Sequence, residues 1–137
     1  MSAIGKRRSL LDSYAILAFL NDERGAERVA NLLEEAAGEG TPLFVNEINV
    51  GEVYYIVSKH RSPDAAEEVL LHLERLPLER VPNTFDEVLE AARLKARFPL
   101  SYADAFALAS AIRLEARLVT GDPEFETVEH LVEVQWI

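Results

Sequence analysis

Four of the 24 acidic residues in this chain occupy positions that do not suit a solvent-facing role. Asp12 and Asp122 each come just after a short apolar run of the kind that forms a buried strand. In open α/β sheets, ligands bind at the edge formed by the carboxyl ends of the strands. We therefore interpret these two acids as candidates for a ligand site, with a helix N-cap or an Asx turn as the structural alternative for each.

Glu52 and Asp104 lie within predicted helices, on the apolar side. Glu52 shares its helix face with Ile48 and Ile56, and Asp104 shares its face with Leu108. A buried carboxylate without a partner is costly. The structural alternative is a tyrosine or arginine partner for Glu52 and, for Asp104, a capping box with the serine three residues earlier. Taken together, the four acids suggest a shared acidic cleft.

Such a cleft would need a cation. Two carboxylates about 5 Å apart repel each other by roughly 3 kcal/mol at an effective dielectric constant of about 20. The chain has no cysteine and only three scattered histidines, His60, His72 and His130, which we assign to the surface. All-oxygen ligation favours Mg²⁺ or Mn²⁺ over zinc. A carboxylate-held Mg²⁺ suits the attack of water on phosphorus.

The elements that would position these acids follow an alternating order. Short apolar strands alternate with helices of 10–15 residues, which is typical of βαβ units and of a parallel sheet covered on both faces. We expect one α/β/α sandwich, a single domain over residues 1–137. The predicted strands cover residues 9–11, 43–45, 78–81, 117–120 and 131–137, and the predicted helices 14–20, 24–37, 46–58, 63–75, 85–98 and 101–115.

Charge and hydropathy exclude several classes of protein. A formal net charge of −10 argues against electrostatic coating of nucleic acid, which needs a basic surface. An RNA path would have to use local clusters, of which the sequence offers Lys6-Arg7-Arg8, Lys59-His60-Arg61 and Arg93-Lys95-Arg97. No window approaches the roughly 20 apolar residues of a membrane span, and no signal peptide is recognised. We expect a cytoplasmic protein without membrane association.

Four segments of the chain resemble motifs of the PIN-domain nucleases and, within them, of the VapC-type toxins of toxin–antitoxin pairs. Their order and spacing cover nearly the whole chain. They are Leu10-Leu11-Asp12-Ser13, Asn46-Glu47-Ile48-Asn49-Val50-Gly51-Glu52, Ser101-Tyr102-Ala103-Asp104-Ala105 and Leu118-Val119-Thr120-Gly121-Asp122-Pro123-Glu124-Phe125.

The resemblance implies a PIN-like fold with a five-stranded parallel sheet in the order 3-2-1-4-5, which sets the first and fourth strands side by side. It also implies an endoribonuclease that uses one or two Mg²⁺ or Mn²⁺ ions, forms a homodimer and pairs with a protein antitoxin. The catalytic and metal-binding positions of the family fall on Asp12, Glu52, Asp104 and Asp122.

Further residues near these positions are assigned supporting roles. By resemblance, Thr120 and Ser13 support the metal ligands. Asn49 lies one turn before Glu52 on the same face, where it could bind a water ligand or simply face solvent. Glu124 is interpreted as a solvent-exposed acid in a first helical turn.

Two other functions compete with the nuclease. A response-regulator receiver domain would need adjacent acids after the first strand and a lysine after the last, but Asp12 is followed by Ser13 and no lysine follows Lys95. The stronger alternative is a PIN-like module that binds an antitoxin or RNA without turnover. A cleavage assay separates that module from an enzyme.

Overall fold

The computed structural model describes residues 7–137, so Lys6 of the first basic cluster lies outside the described residues. Five short strands form one parallel sheet in the order β3-β2-β1-β4-β5. This confirms the predicted fold class and the strand order that the resemblance implied. The strands are β1 (Ser9–Leu11), β2 (Leu43–Asn46), β3 (Glu79–Val81), β4 (Arg117–Thr120) and β5 (Val134–Trp136).

Helices cover both faces of the sheet, and polar side chains cap most of their N-termini. Asn46 caps α3, Ser62 caps α4 and Thr84 forms a complete capping box with Glu87 at the start of α5. Within the described residues, no helix combines the length and apolar character needed to cross a bilayer. The helices are α1 (Ser13–Leu20), α2 (Ala26–Glu39), α3 (Glu47–His60), α4 (Pro63–Glu74), α5 (Phe85–Arg97), α6 (Tyr102–Leu114) and a 3₁₀ helix, Pro123–Val128.

The central strands divide the core into two layers because successive side chains of a strand point to opposite faces. Leu10 of β1 and Leu118 of β4 are paired in register and pack, with Phe125, against α6. The next pair, Leu11 and Val119, packs on the opposite face against α1–α4. This pairing of β1 with β4 brings the two strand-end acids, Asp12 and Asp122, to the same edge of the sheet.

The structure differs from the sequence-based expectation in four places. Helix α2 continues through Gly38 and ends at Gly40, whose φ of 70° suits a glycine C-cap. The third strand, β3, expected like the others to be a short apolar strand, is an edge strand with exposed Glu79 and Arg80. The last strand is shorter than predicted, and the segment after Asp122 forms a 3₁₀ helix instead of a simple turn.

Candidate metal centre

A buried threonine joins the ends of β1 and β4. The Thr120 hydroxyl donates a hydrogen bond of 2.5 Å to Oδ2 of Asp12 and accepts one of 3.0 Å from the backbone N–H of Asp122. The other oxygen of Asp12, Oδ1, accepts from the N–H of Ala15 and so caps α1. Capping roles considered for Asp12 and Asp122 are both present, since Asp122 Oδ1 likewise accepts from the N–H of Glu124.

Capping does not account for how deeply Asp12 is buried. Its side chain has no exposed surface. The pKa of Asp12 is raised from 3.8 to about 7, and burial is the largest cause. The charges of Asp122 and Glu52 also raise this pKa, whereas the hydrogen bonds from Thr120 and Ala15 lower it. A solvated N-cap aspartate would show no such shift, so Asp12 sits in an electrostatic environment that favours either a proton or a cation.

Asp104 is brought to the same place by the first turn of α6. The Ser101 hydroxyl accepts the N–H of Asp104, as a capping box predicts, at 3.1 Å. In a complete capping box, the Asp104 carboxylate would accept the N–H of Ser101 in return. Here that N–H donates instead to Oε1 of Glu124. The Asp104 carboxylate is therefore not consumed by the cap, and it lies almost fully buried beside Asp122 and Glu124.

Glu124 belongs to this cluster, although the sequence-based interpretation gave it only a solvated role. Carboxylate oxygens of Asp104, Asp122 and Glu124 all lie within 4.8 Å of one another. The sequence offered one indication that Glu124 joins the site, namely its position two residues after Asp122, at the start of a helical turn. That position fixes the backbone of Glu124 but not the direction of its side chain, which only the packing of α6 against the 3₁₀ helix decides.

Glu52 reaches the site from α3. Its Oε1 atom accepts a hydrogen bond from the hydroxyl of Ser13, the first residue of α1. This pairing links α3 to the end of β1, and Ser13 is buried together with Asp12. The tyrosine or arginine partner considered for Glu52 is not what the structure provides.

Asn49 has a structural contact that the sequence did not predict. It is fully buried, so the expectation of a solvent-facing residue is wrong. Its Nδ2 atom donates to the carbonyl of Ala103 at 3.1 Å, which ties α3 to the first turn of α6. Its Oδ1 atom is buried without a protein hydrogen-bond partner among the described residues. Asn49 thus fixes the relative positions of the helices that carry Glu52 and Asp104.

The acidic side chains that reach the site line a cleft of about 290 Å³. Asp12 is not part of the lining and lies behind it, close enough for its charge to act on Asp104. Among residues 7–137, no lysine or arginine lines this cleft. The lining residues are Ser13, Tyr14, Leu17, Glu52, Ser101, Asp104, Asp122 and Glu124.

The donor set fits a hard divalent cation. The pKa of Asp104 is raised from 3.8 to about 8, chiefly by burial and also by a hydrogen bond with Glu124 and the charges of Asp122 and Asp12, while the hydrogen bond with Ser101 lowers it. Burial and the neighbouring charges thus raise the pKa of both Asp12 and Asp104, so that these two carboxyl groups favour a proton near neutral pH unless a cation replaces it. Every candidate ligand atom is a carboxylate oxygen, the preference of Mg²⁺ and Mn²⁺.

The histidines and the basic clusters lie elsewhere. His60, His72 and His130 are exposed, as predicted; His72 stacks on Phe19 and His130 packs edge-on against Phe98. Of the basic clusters, Arg7 pairs with Glu133 and Arg8 donates to the carbonyl of Leu114, next to the start of β1 and so away from the acidic cleft. The clusters at 59–61 and 93–97 also contribute no side chain to the cleft lining.

A comparison with known protein families matches most of the chain. Residues 9–131 match the model of the PIN domain family. The chain belongs to the PIN domain family. The match covers all four acids that were singled out from the sequence. No curated protein sequence matches this PIN-domain chain significantly.

Solved structures of toxins and toxin–antitoxin complexes share this fold. A structure of VapBC2 from Rickettsia felis bound to a promoter DNA fragment matches with a TM-score of 0.72 and 19% identity, covering 95% of this chain and 99% of that one. VapC20 from Mycobacterium tuberculosis, a toxin that cleaves the sarcin–ricin loop, gives 0.71 and 18%, with coverage of 92% and 98%. A toxin–antitoxin complex from Klebsiella pneumoniae gives 0.63 and 19%, covering 94% and 99%. At these identities the likeness establishes a shared fold.

Proposed function

We propose that this PIN-domain protein is an endoribonuclease that depends on Mg²⁺ or Mn²⁺ and acts as the toxin of a type II toxin–antitoxin pair. The observation that carries the proposal is the convergence of Asp12, Glu52, Asp104 and Asp122, which are separated by up to 110 residues in sequence, around one cleft. Neither capping nor ion pairing explains that convergence, because no cationic side chain in the described chain lines the cleft.

The proposed ligands divide into two groups by their accessibility. Asp104, Asp122 and Glu124 offer oxygens within 4.8 Å of one another, and Glu52 lines the same cleft. Asp12 lies behind them; each of its oxygens accepts one hydrogen bond, so each keeps a second lone pair for a cation. One or two ions fit this number of carboxylates.

Each supporting residue has a defined effect on the ligands. Thr120 fixes the orientation of the Asp12 carboxylate and the backbone of Asp122 with a single hydroxyl group. Ser13 holds Glu52, and Asn49 holds α3 against α6. A bound divalent cation would offset the carboxylate charge, lower the pKa of the attacking water and stabilise charge on the phosphoryl oxygens. The chain itself supplies positioning and low solvent exposure.

The partners are proposed on the evidence of the fold. Structures that share it include a VapBC assembly on promoter DNA, a toxin–antitoxin complex and a toxin that cleaves RNA in the sarcin–ricin loop. We extend an RNA substrate and a protein antitoxin to this chain, and we propose a homodimer because the family resemblance implies one. A protein of net charge −10 with an acidic cleft needs the metal before an RNA phosphate can approach it.

A cleavage assay tests this function. We expect the protein to cleave single-stranded RNA in Mg²⁺ or Mn²⁺ and to stop in EDTA, and the product of an adjacent antitoxin gene to inhibit it. Asp122→Asn is expected to lower the cleavage rate at least 100-fold. Glu126→Gln makes the same charge change at an exposed position of the same 3₁₀ helix, outside the cleft, and should leave the rate unchanged. Cleavage that persists in EDTA would contradict the proposal.

A further inference from the structure

The cleft has an apolar part that the metal chemistry does not use. Its lining includes one aromatic residue, Tyr14, and one aliphatic residue, Leu17; the other six lining residues are Ser or carry carboxylates. Both lie on α1, three positions apart, so they share a helix face. Tyr14 is 43% exposed even though it adjoins a fully buried Asp12. A large aromatic ring is thus presented to solvent at the cleft.

The ring of Tyr14 is held in place by a close approach to the backbone at Gly121. A Cβ atom at position 121 would lie 2.7 Å from Cζ of Tyr14 and closer still to Cε1, distances that real side chains do not reach. Gly121 has no positive φ, so its backbone conformation does not require glycine. The absence of a side chain at Gly121 makes room for the ring of Tyr14, which packs against the turn between Thr120 and Asp122.

Packing against Gly121 restricts the ring without burying it. One edge of the Tyr14 ring contacts Gly121 in the turn after β4, while nearly half of the residue remains accessible to solvent. The hydroxyl group makes no hydrogen bond to another described residue. The exposed surface of Tyr14 is therefore a preoriented aromatic surface next to the carboxylates, and its position does not depend on its hydroxyl group.

We infer that Tyr14 binds the substrate by stacking on a nucleobase next to the scissile phosphate, with Leu17 contacting the edge of that base. This inference rests on the proposed nuclease function. Every base has a π-face, and stacking on an aromatic residue does not depend on sequence. Among the described residues no cationic side chain lines the cleft, so an uncharged contact is the one means by which this part of the lining can hold RNA. Tyr14 is thus a substrate-binding residue and not a metal ligand.

Variants of Tyr14 test this role on a short single-stranded RNA that the wild-type protein cleaves, selected from a randomised pool. Tyr14→Leu keeps apolar bulk but removes the ring, and we expect its KM to rise about 5- to 150-fold, the range that corresponds to the loss of one stacked base. Tyr14→Phe keeps the ring and should stay within about threefold of wild type. Phe85→Leu, at the most exposed large apolar residue among residues 7–137 and on a helix that does not line the cleft, is the control and should leave KM unchanged.

Two further measurements separate stacking from a structural effect. Mg²⁺ affinity, measured by calorimetry without RNA, should be the same in Tyr14→Leu and wild type. An abasic nucleotide, placed at each position of the RNA in turn, should at one position remove the difference in KM between wild type and Tyr14→Leu.

The outcomes distinguish the inference from the proposed function. Equal KM values for wild type and Tyr14→Leu, or a loss in Tyr14→Phe as large as in Tyr14→Leu, would overturn the stacking role while leaving the nuclease in place. A difference in KM that persists with every abasic RNA would also overturn it. Absence of RNA cleavage by the wild type under all metal conditions would reject the nuclease and the stacking role together.

Discussion

At the scale of single residues, Thr120 shows how one hydroxyl group can organise two ligands. It is fully buried, and its oxygen is both donor to Asp12 and acceptor from the Asp122 backbone. The resemblance assigned Thr120 a supporting role, but the hydrogen bond to Asp12 was not predictable from sequence because it depends on the register of β1 against β4. The bond from the Asp122 N–H is local, between residues two positions apart. A hydroxyl that orients a metal ligand typically affects metal affinity as well as stability.

Replacement of Thr120 by valine tests this role. Thr120→Val keeps the shape of the side chain but leaves Asp12 Oδ2 and the Asp122 N–H without their partner. We expect the variant to lose about 1–3 kcal/mol of stability in urea denaturation. We also expect Mg²⁺ affinity to fall by roughly 10- to 100-fold in calorimetry. Thr120→Ser restores the hydroxyl and should recover most of the affinity; equal Mg²⁺ affinity in the valine variant would show that Thr120 is only structural.

At the scale of elements, the site depends on turns where a strand or loop becomes a helix. Asp12, Asp122 and Ser101 each lie at such a turn, and each accepts a backbone N–H of the helix that follows. These three N-caps were therefore predictable from local sequence, as was the placement of Asp12 and Asp122 after strands, whereas the ends of α2 and the extent of the 3₁₀ helix were not. The connection from Glu124 to Ser101 spans 23 residues and two elements, so local patterns carried no information about it.

Two N-cap variants separate the contribution of a cap to stability from its contribution to the site. Ser101→Ala removes the cap of α6 and should destabilise the protein by about 1 kcal/mol. Thr84→Ala removes the cap of α5, away from the cleft, and should have a similar effect on stability. Only Ser101→Ala is expected to weaken Mg²⁺ binding, because the first turn of α6 also positions Asp104. Equal Mg²⁺ affinity in both variants would indicate that α6 holds Asp104 without its cap.

At the scale of the whole molecule, the strand order determines the position of the site. The pattern of short strands and intervening helices predicted a parallel sheet, and the order β3-β2-β1-β4-β5 was implied only by the family resemblance. A first helical turn at Glu124 was predicted but the full 3₁₀ helix was not, because six residues give too little periodicity, although the buried Phe125 and Val128 are three positions apart. Placing an acidic cleft in a protein of net charge −10 also makes its stability depend on pH and on cations.

Metal-free protein is expected to lose stability as the pH rises. The pKa values of Asp12 and Asp104 in the folded state, about 7 and about 8, lie above their unfolded value of 3.8, so the folded state binds these protons more tightly. That contribution to the free energy of unfolding is complete below pH 4 and disappears as the pH passes through 7 to 8. In EDTA, we expect the melting temperature to be several degrees lower at pH 8.5 than at pH 5.5.

Two controls assign this pH dependence to the cleft. Saturating Mg²⁺ should restore most of the melting temperature that is lost at pH 8.5, because ligand binding to the folded state stabilises it. Asp12→Asn keeps an N-cap for α1 but removes the charge, so in EDTA its melting temperature should vary less with pH than that of the wild type. A melting temperature that rises between pH 5.5 and 8.5 in EDTA would contradict the expected repulsion among the carboxylates.

The pairing of β1 with β4 has a consequence for the newly made chain. The Asp12–Thr120 hydrogen bond joins residues 108 positions apart, and Asp122 comes later still. During translation, the cleft cannot form until the chain has been made beyond β4, because shortened products that end before β4 lack Asp122 and Glu124. The proposed nuclease activity would therefore arise only after β4 and Asp122 have been made, when any antitoxin made earlier is already present.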